Sequence, residues 1–367
     1  MIELRAGDRG AFFETPFTAY GAEAGYVSPM RADLFRMLDA GANPLFASGN
    51  PFSFWTAHRG GRPIGRIVAH VHRQSNERHG TRRAQFGFFD CADDGEAAAA
   101  LLGAAQGLAR DHGCEELAGN FNLTAMQQAG VVTAGFECRA YTDMIVNPPH
   151  IPRLLEANGF ERFFPMTTFE LDLAEATPPR PDFAMLERQG YSFAPIRKRD
   201  FAERMEEARI VLNDGFADNP MFVPLTEEEF RFQAGEMTAI LDPRLSSVLH
   251  KDGRPVGVVV CIPDLNGFLR ATRSRIGLMT PLHFLHFRLR RRRAVIIFYS
   301  VVRDCHSRGL NSAMLARVIA ALRDGGYSSL GITWIADRNA ASLRQVEKIG
   351  GKPLHRLHLF RKAVARR

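Results

Sequence analysis

The chain predicts a mixed α/β (α+β) fold built as two tandem copies of one domain, and three observations lead there. Its 367 residues exceed the span of one hydrophobic core at roughly 150 residues per domain. A fixed order of apolar runs and Ala/Leu-rich stretches occurs twice along it. Between the two occurrences lies AEATPPRPD at 174–182, where Pro178, Pro179 and Pro181 lack the backbone donors and the helical preference that a core element needs. The expected division is a first domain over 1–175, a linker over 176–182 and a second domain over 183–367.

Each element of the repeat has a local reason. AHRGGRPIGRIVAHVH at 57–72 is answered by LHKDGRPVGVVVCIPD at 249–264, both an apolar strand, a Gly turn and a second apolar strand. A further apolar strand follows, 84–90 in the first copy and 294–303 in the second. Next come the helices GEAAAALLGAAQGLARDHG and LNSAMLARVIAALRDGG, rich in Ala and Leu and stopped by Gly. Short strands at 115–118 and 329–334 lead to helices at 152–160 and 339–351, and final strands at 163–173 and 355–359 close each copy. The second copy carries extra residues at 267–293, between its hairpin and its central strand.

With 46% hydrophobic and 24% charged residues, 32 Gly and 20 Pro, the composition is that of a globular protein and excludes collagenous and disordered classes. No run reaches the ~18 apolar residues of a membrane span. The opening MIELRAGDRGAFFETPF lacks the pattern of a secretory signal, so the expected location is cytoplasmic, or peripheral at the inner membrane. Cys91, Cys114, Cys138, Cys261 and Cys305 are scattered, without CxxC spacing, and are expected to be reduced thiols. The 47 Lys+Arg against 40 Asp+Glu give +7, which favours anionic partners. That charge is concentrated: no acidic residue lies between Asp264 and Asp304, whereas Arg270, Arg273, Arg275, Arg288, Arg290, Arg291, Arg292, Arg293 and Arg303 do.

In the second copy AVIIFYSVV runs into RDCHSRGLNSAMLARVIAALRD, so a loop with Ser307, Arg308 and Gly309 opens a helix. A helix start has N–H groups without intrahelical partners and partial positive charge, and so favours a phosphate or pyrophosphate. Gly309 permits close backbone approach, and Arg303 and Arg308 add charge; the alternative is a glycine that only turns a loop into a helix. In the first copy the matching turn, CADDGEAAAALL, presents Asp93, Asp94 and Glu96, which repel a pyrophosphate. Only the second copy is expected to bind a phosphorylated cofactor.

These residues resemble the GNAT family of acyl-CoA N-acyltransferases, whose phosphate loop reads Gln/Arg-x-x-Gly-x-Gly/Ala. Here the window is His306-Ser307-Arg308-Gly309-Leu310-Asn311: the middle Gly matches, with His at the first position and Asn at the last. NAASLRQVEKIGG resembles the second family signature, through Asn339 and Gly350. AGNFNLTAMQQAGVVTAGFE, NPPHIPRLLEANGFE and Asp264-Leu265-Asn266 are similar to a tandem bacterial GNAT group that includes ceramide synthases. The resemblance, over about 40–365, implies two GNAT-like domains, each a mostly antiparallel central sheet flanked by helices. It further implies acyl-CoA as co-substrate and an amine acceptor, in that group a long-chain, sphingoid-like one.

Site roles follow from the resemblance by position. A backbone N–H for the thioester oxygen falls near Tyr299, Ser300 or Val301, and cofactor contacts fall on Ser300, Val301, Arg303, Ser307, Arg308, Gly309, Leu310, Asn311 and Asn339. The tyrosine that often protonates the departing thiolate is replaced by Val346, seven residues after Asn339. Tyr299 and His306 are the alternative acids, unless Tyr299 is a half-buried strand residue, His306 a solvated loop residue, and water the donor. Asp264 is the candidate base and Asn266 a substrate-orienting residue; the competing reading is an Asx turn capping the strand. His70 and His72 share a strand face but lack a third ligand, so no metal is expected. Cys305 and His306 are adjacent and point apart on a strand, which disfavours a dyad.

The 267–293 segment mixes Leu282, Phe284, Leu285, Phe287 and Leu289 with the Arg run, as an interfacial element on an anionic membrane does. The alternatives are a basic loop packed on the second core and a nucleic-acid patch; the segment lacks recognition motifs for the latter, and no nucleic-acid partner is expected. The functional expectation is an N-acyltransferase for a hydrophobic amine. The alternatives are a silent acyl-CoA- or lipid-binding protein and a small-amine acetyltransferase. Oligomeric state is not expressed in the sequence.

Overall fold

The computed structural model describes residues 1–21, 25–235, 237, 240–306 and 308–365. Its strands, in chain order, are β1 (Glu3–Ala6), β2 (Phe52–Arg59), β3 (Arg62–His70), β4 (Arg83–Cys91), β5 (Glu116–Gly119), β6 (Val131–Ala134), β7 (Glu161–Asp172), β8 (Tyr191–Pro195), β9 (Ser247–Lys251), β10 (Arg254–Pro263), β11 (Arg293–Val301), β12 (Ser329–Ala336) and β13 (Lys352–Ala363). Each strand of the expected repeat is present. The chain divides into two compact units: 1–167 with 266–284 and 355–367, and 168–265 with 285–354.

In the first unit β1, β2, β3 and β4 pair antiparallel in that order, β4 pairs parallel with β5, and β13 pairs antiparallel with β5 and β6. The helix Gly95–Asp111 covers this sheet, burying Ala97, Ala98, Leu101, Leu102, Ala105 and Ala109. Those positions recur every three or four residues, the period of one helix face. Ala and Leu there cost little side-chain entropy, and each fully buried Leu contributes about 2 kcal/mol by removal from water.

The second unit repeats the plan. β8, β9, β10 and β11 pair antiparallel in order and β11 pairs parallel with β12. The helix Leu310–Asp324 buries Leu310, Ala313, Met314, Leu315, Val318, Ile319 and Leu322. Gly257 on β10 makes room for it, because a Cβ there would stand 3.0 Å from the Met314 sulfur. Gly326, at φ +73, ends the helix in a conformation that a side chain resists.

The division differs from a cut at the proline stretch in four respects. Residues 355–363 complete the first sheet, with Phe360 opposite Gly119 and Ala363 opposite Glu116, while 168–172 of the first copy's final strand belong to the second unit. The 266–284 part of the basic segment is held in the first unit: Ser274 Oγ donates to the Ser28 carbonyl at 2.7 Å, and Arg275 pairs with Glu14. The expected linker is part of the second unit, because Arg323 donates to the Leu173 and Ala176 carbonyls at 2.8 and 2.7 Å and Thr177 N–H reaches the Ile349 carbonyl.

Candidate functional site

In the second unit β11 and β12 run parallel from Arg293↔Ser329 to Ile296↔Ile332. Among the described residues their pairing ends there, although β11 continues to Val301 and β12 to Ala336. On its other edge β11 pairs Ile296 with Cys261 and Phe298 with Val260, so Ile297 is one extra residue. A bulge of this kind removes a strand's N–H groups from the ladder and turns them to other acceptors. The family resemblance sets the thioester-facing N–H near Tyr299, Ser300 or Val301; the bulge itself lies at Ile297. Ser300 and Val301 are buried, and they remain paired with Val258 and Gly257.

After β11 the chain turns into Leu310–Asp324 through Gly309, at φ +75, and among the described residues no side chain caps the helix start. A Cβ at Gly309 would meet nothing within 4 Å, and Gly309 and Ser312 at the helix start line open space. An anion fits such a start, and a side chain at that φ does not. This turn borders an open groove of about 770 Å³ that Arg180, Asp182, Tyr191, Lys251, Arg308 and Ser312 help to line, with Met185 and Leu186 supplying apolar wall. Arg180 and Arg308 make no ion pair among the described residues, whereas Lys251 Nζ contacts Asp252 at 2.6 Å. Cationic side chains, a bare helix start and apolar walls together suit a phosphorylated nucleotide carrier with an organic arm.

Tyr299 is half-buried on β11, and its hydroxyl donates to the Asn311 carbonyl in the first turn of the helix while accepting from Gln345 Nε2 at 3.1 Å. Burial pushes its phenol well above the ordinary value, and the Gln345 bond opposes this only in part. The group therefore holds its proton at neutral pH, as an acid must and a base must not.

The remaining expected residues separate into those the fold uses elsewhere and those at the turn. Asp264 is buried, its carboxylate 3.0 Å from Arg293 Nε, at the start of β11. Ile297 lies four residues farther along, on the order of 13 Å away at strand rise, outside direct proton-transfer reach. Asn266 donates to the Ala140 carbonyl at 3.1 Å and accepts from Thr142 at 3.3 Å, holding the first unit's 140–142 loop. Arg303 is taken by Asp214, its N–H at 2.6 Å from the carboxylate. His306 Nε2 stands 3.0 Å from the Val301 carbonyl and locks the loop; Cys305 is buried. Asn339 caps Ala340–Lys348, accepting from Ser342 N–H at 3.1 Å. Leu310 is buried and Asn311 acts through its carbonyl. Ser307 lies outside the described residues. Val346 is buried, with its Cγ1 where a Cβ on Gly351 would be. Sequence reasoning missed Arg180, Lys251 and Gln345; a proline stretch, a hairpin turn and a helix interior gave no signal of the groove or of Tyr299.

The first unit shows the same turn in another state. β4 and β5 pair parallel from Arg83↔Glu116 to Phe86↔Gly119, and β4 bulges between Gly87 and Asp90. Here the bulge is filled by the protein: Phe88 N–H donates to Asn122 Oδ1 at 2.8 Å and Phe89 N–H to Asn120 Oδ1 at 3.1 Å. The 120–122 segment lies so close that a Cβ on Gly87 would be 1.6 Å from the Phe121 carbonyl oxygen. The helix start is occupied too, since the Asp94 carboxylate accepts from the Glu96 and Ala97 N–H groups, both at 3.1 Å, and is bound by Arg59 at 2.8 Å. Partial burial raises the Asp94 pKa, but the Ala97 N–H and Arg59 outweigh it and hold the carboxylate below its ordinary value.

Comparison with known proteins bears on the family and the fold. The sequence model of a family described as "Acetyltransferase (GNAT) family" matches residues 212–350. Protein YghO of Escherichia coli (strain K12) is 24% identical, covering 98% of this chain and 94% of that protein. The bacterial ceramide synthase of Caulobacter vibrioides (strain NA1000 / CB15N) is 25% identical, with 96% and 94% covered. A tandem GNAT protein from the clavulanic acid biosynthesis pathway matches in fold with a TM-score of 0.59 at 16% identity over 100% of both chains. A GCN5-related N-acetyltransferase from Sphaerobacter thermophilus does so at 0.54 and 14%, over 99% of this chain and 96% of that one.

Proposed function

From a chain that carries a GNAT acetyltransferase domain within a tandem-GNAT fold, we propose an acyl-CoA-dependent N-acyltransferase whose acceptor is a hydrophobic, long-chain amine. The observation that carries this reading is the uncapped helix start at Gly309, opening on the groove lined by Arg180, Lys251 and Arg308. The long-chain acceptor rests on the likeness to a bacterial ceramide synthase, and such an amine would be met at a membrane surface.

Acyl-CoA, when bound, supplies an activated thioester carbonyl. The Gly309 turn and its flanking cations would hold the diphosphate. Backbone N–H groups at the Ile297 bulge would donate where the carbonyl oxygen gathers negative charge as the amine nitrogen adds. The C–N bond forms, the C–S bond breaks, and the proton lost by nitrogen leaves to solvent. The Tyr299 hydroxyl, poised at the head of the helix, is the donor we assign to the departing sulfur.

A survey of acyl-CoA chain lengths against amines, sphingoid bases included, tests the reading through release of free CoA thiol. We expect long-chain acyl-CoA with a sphingoid base to turn over fastest. Preference for acetyl-CoA and a water-soluble polyamine would replace the acceptor class, and no thiol release with any amine would leave an acyl-CoA-binding protein, the reading that Val346 favours. In the active pair, Tyr299→Phe should lower kcat by ~10²-fold with the acyl-CoA KM nearly unchanged, the signature of a loss confined to the transition state.

A further inference from the structure

The described residues include eleven large apolar side chains that are exposed, and six of them fall within 276–289. Single exposed apolar residues are ordinary, whereas a cluster marks a surface that meets something apolar. Leu278 is 100% exposed, Ile276 78% and Leu289 77%, and Met279, Leu282 and Leu285 are each more than half exposed.

They are ordered as well as clustered. In the helix Thr280–Arg290, Leu282, Leu285 and Leu289 stand at i, i+3 and i+7, one face at 3.6 residues per turn. Phe284 lies on the opposite side, its ring 5.6 Å from that of Phe268. Arg288 flanks the leucine face on one side and His286 and Arg290 on the other. The arginines of the run have distinct uses: Arg291 pairs with Asp242 at 3.1 Å and Arg293 with Asp264 at 3.0 Å. Arg288, Arg290 and Arg292 are exposed and make no ion pair among the described residues.

We propose that the leucine face of Thr280–Arg290, with Ile276 to Met279 before it and Arg288, Arg290 and Arg292 around it, docks on an anionic phospholipid surface. Apolar side chains enter the headgroup boundary while guanidinium groups meet lipid phosphates, and the two attractions add. Charge complementarity selects this occupant. A second copy joined about a two-fold axis would set arginine against arginine, since the segment brings no acidic residue of its own. A nucleic acid would use the arginines and leave the leucines in water. The inference deepens the proposed function by supplying a place where a lipid amine is met, and its test reads binding alone, so it stands or falls apart from catalysis.

Sedimentation of the full chain with vesicles of phosphatidylglycerol and phosphatidylcholine, against phosphatidylcholine alone, tests it. Two variants separate the two attractions: Leu282→Ser with Leu285→Ser and Leu289→Ser, and Arg288→Gln with Arg290→Gln and Arg292→Gln. All six side chains are exposed, so thermal unfolding should match wild type. Binding to anionic vesicles should fall at least tenfold for the leucine variant and on the order of 100-fold for the arginine variant, and wild-type binding should weaken with salt. Wild-type protein that ignores phosphatidylglycerol, or a leucine variant that binds as wild type does, overturns the proposal. So does a wild-type dimer in solution that the leucine changes dissociate, which would give the face to a second copy.

Discussion

In the first unit β4 passes into its helix through Asp94, whose carboxylate takes the helix-start N–H groups, and Asn120 and Asn122 take the bulge N–H groups of Phe88 and Phe89. In the second unit β11 passes into its helix through Gly309, which brings no side chain, and past Ile296 the neighbouring strand diverges. The architecture is the same, but among the described residues no side chain is seen to take the helix-start donors of the second unit. A helix start and a bulged strand edge are binding surfaces only where the chain leaves their donors unmet; where it supplies its own carboxylate and amides, the same geometry becomes internal bonding.

The largest expected effect breaks this contrast from the open side. Gly309→Asp puts a side chain at φ +75 and a carboxylate where Asp94 stands in the other unit, and should weaken CoA binding by at least 100-fold in calorimetry. Gly309→Ala, carrying the strain without the charge, should fall between it and wild type. From the closed side, Asp94→Ala should cost about 1 kcal/mol as a lost helix cap and leave one CoA per chain, because the 120–122 segment still covers β4. A second CoA bound by Asp94→Ala would show that the cap alone closes the first unit.

A second pair of variants tests what Asp264 is for. Its carboxylate is tied to Arg293, and leaving one partner of a buried ion pair behind costs about 3 kcal/mol. Asp264→Asn should therefore lower the urea midpoint while kcat, measured on the folded fraction, changes less than threefold. A 100-fold fall in kcat at unchanged stability would make it the base.

The remaining effect concerns pH and lies in the first unit alone. His70 is held at about 3 by burial first and by His72 second, and His72 at about 4 by burial and then His79. Folded values below the unfolded ~6.5 mean that the stabilisation is complete above pH 6.5. It is lost as pH falls towards 3, because the unfolded chain takes up protons that the folded one refuses. The slope should be about 1.4 kcal/mol per pH unit for each group, and His70→Phe should flatten it by one proton's worth.

The sequence by itself determined the repeat, the type and order of its elements, and the contrast between a glycine turn and an acidic one, because each depends on residues close along the chain. Period, caps and glycines are local, so 57–72 and 249–264 both became hairpins and the Asp94 and Gly309 turns opened helices as expected. Tertiary structure decided the partners. Residues 355–363 carry a strand pattern that suits either sheet, and only pairing with Glu116 to Gly119, more than 200 positions back, assigns them to the first. Asp264 looks like a free carboxylate until Arg293 arrives beside it, and Arg291 like a surface charge until Asp242 does. The two asparagines that close the first bulge lie over 30 residues beyond it, in a loop, and Gly87 is the one local trace they leave. Burial, ion pairing and the filling of a donor's empty site depend on which distant segment comes to rest there, and a one-dimensional pattern does not encode that choice.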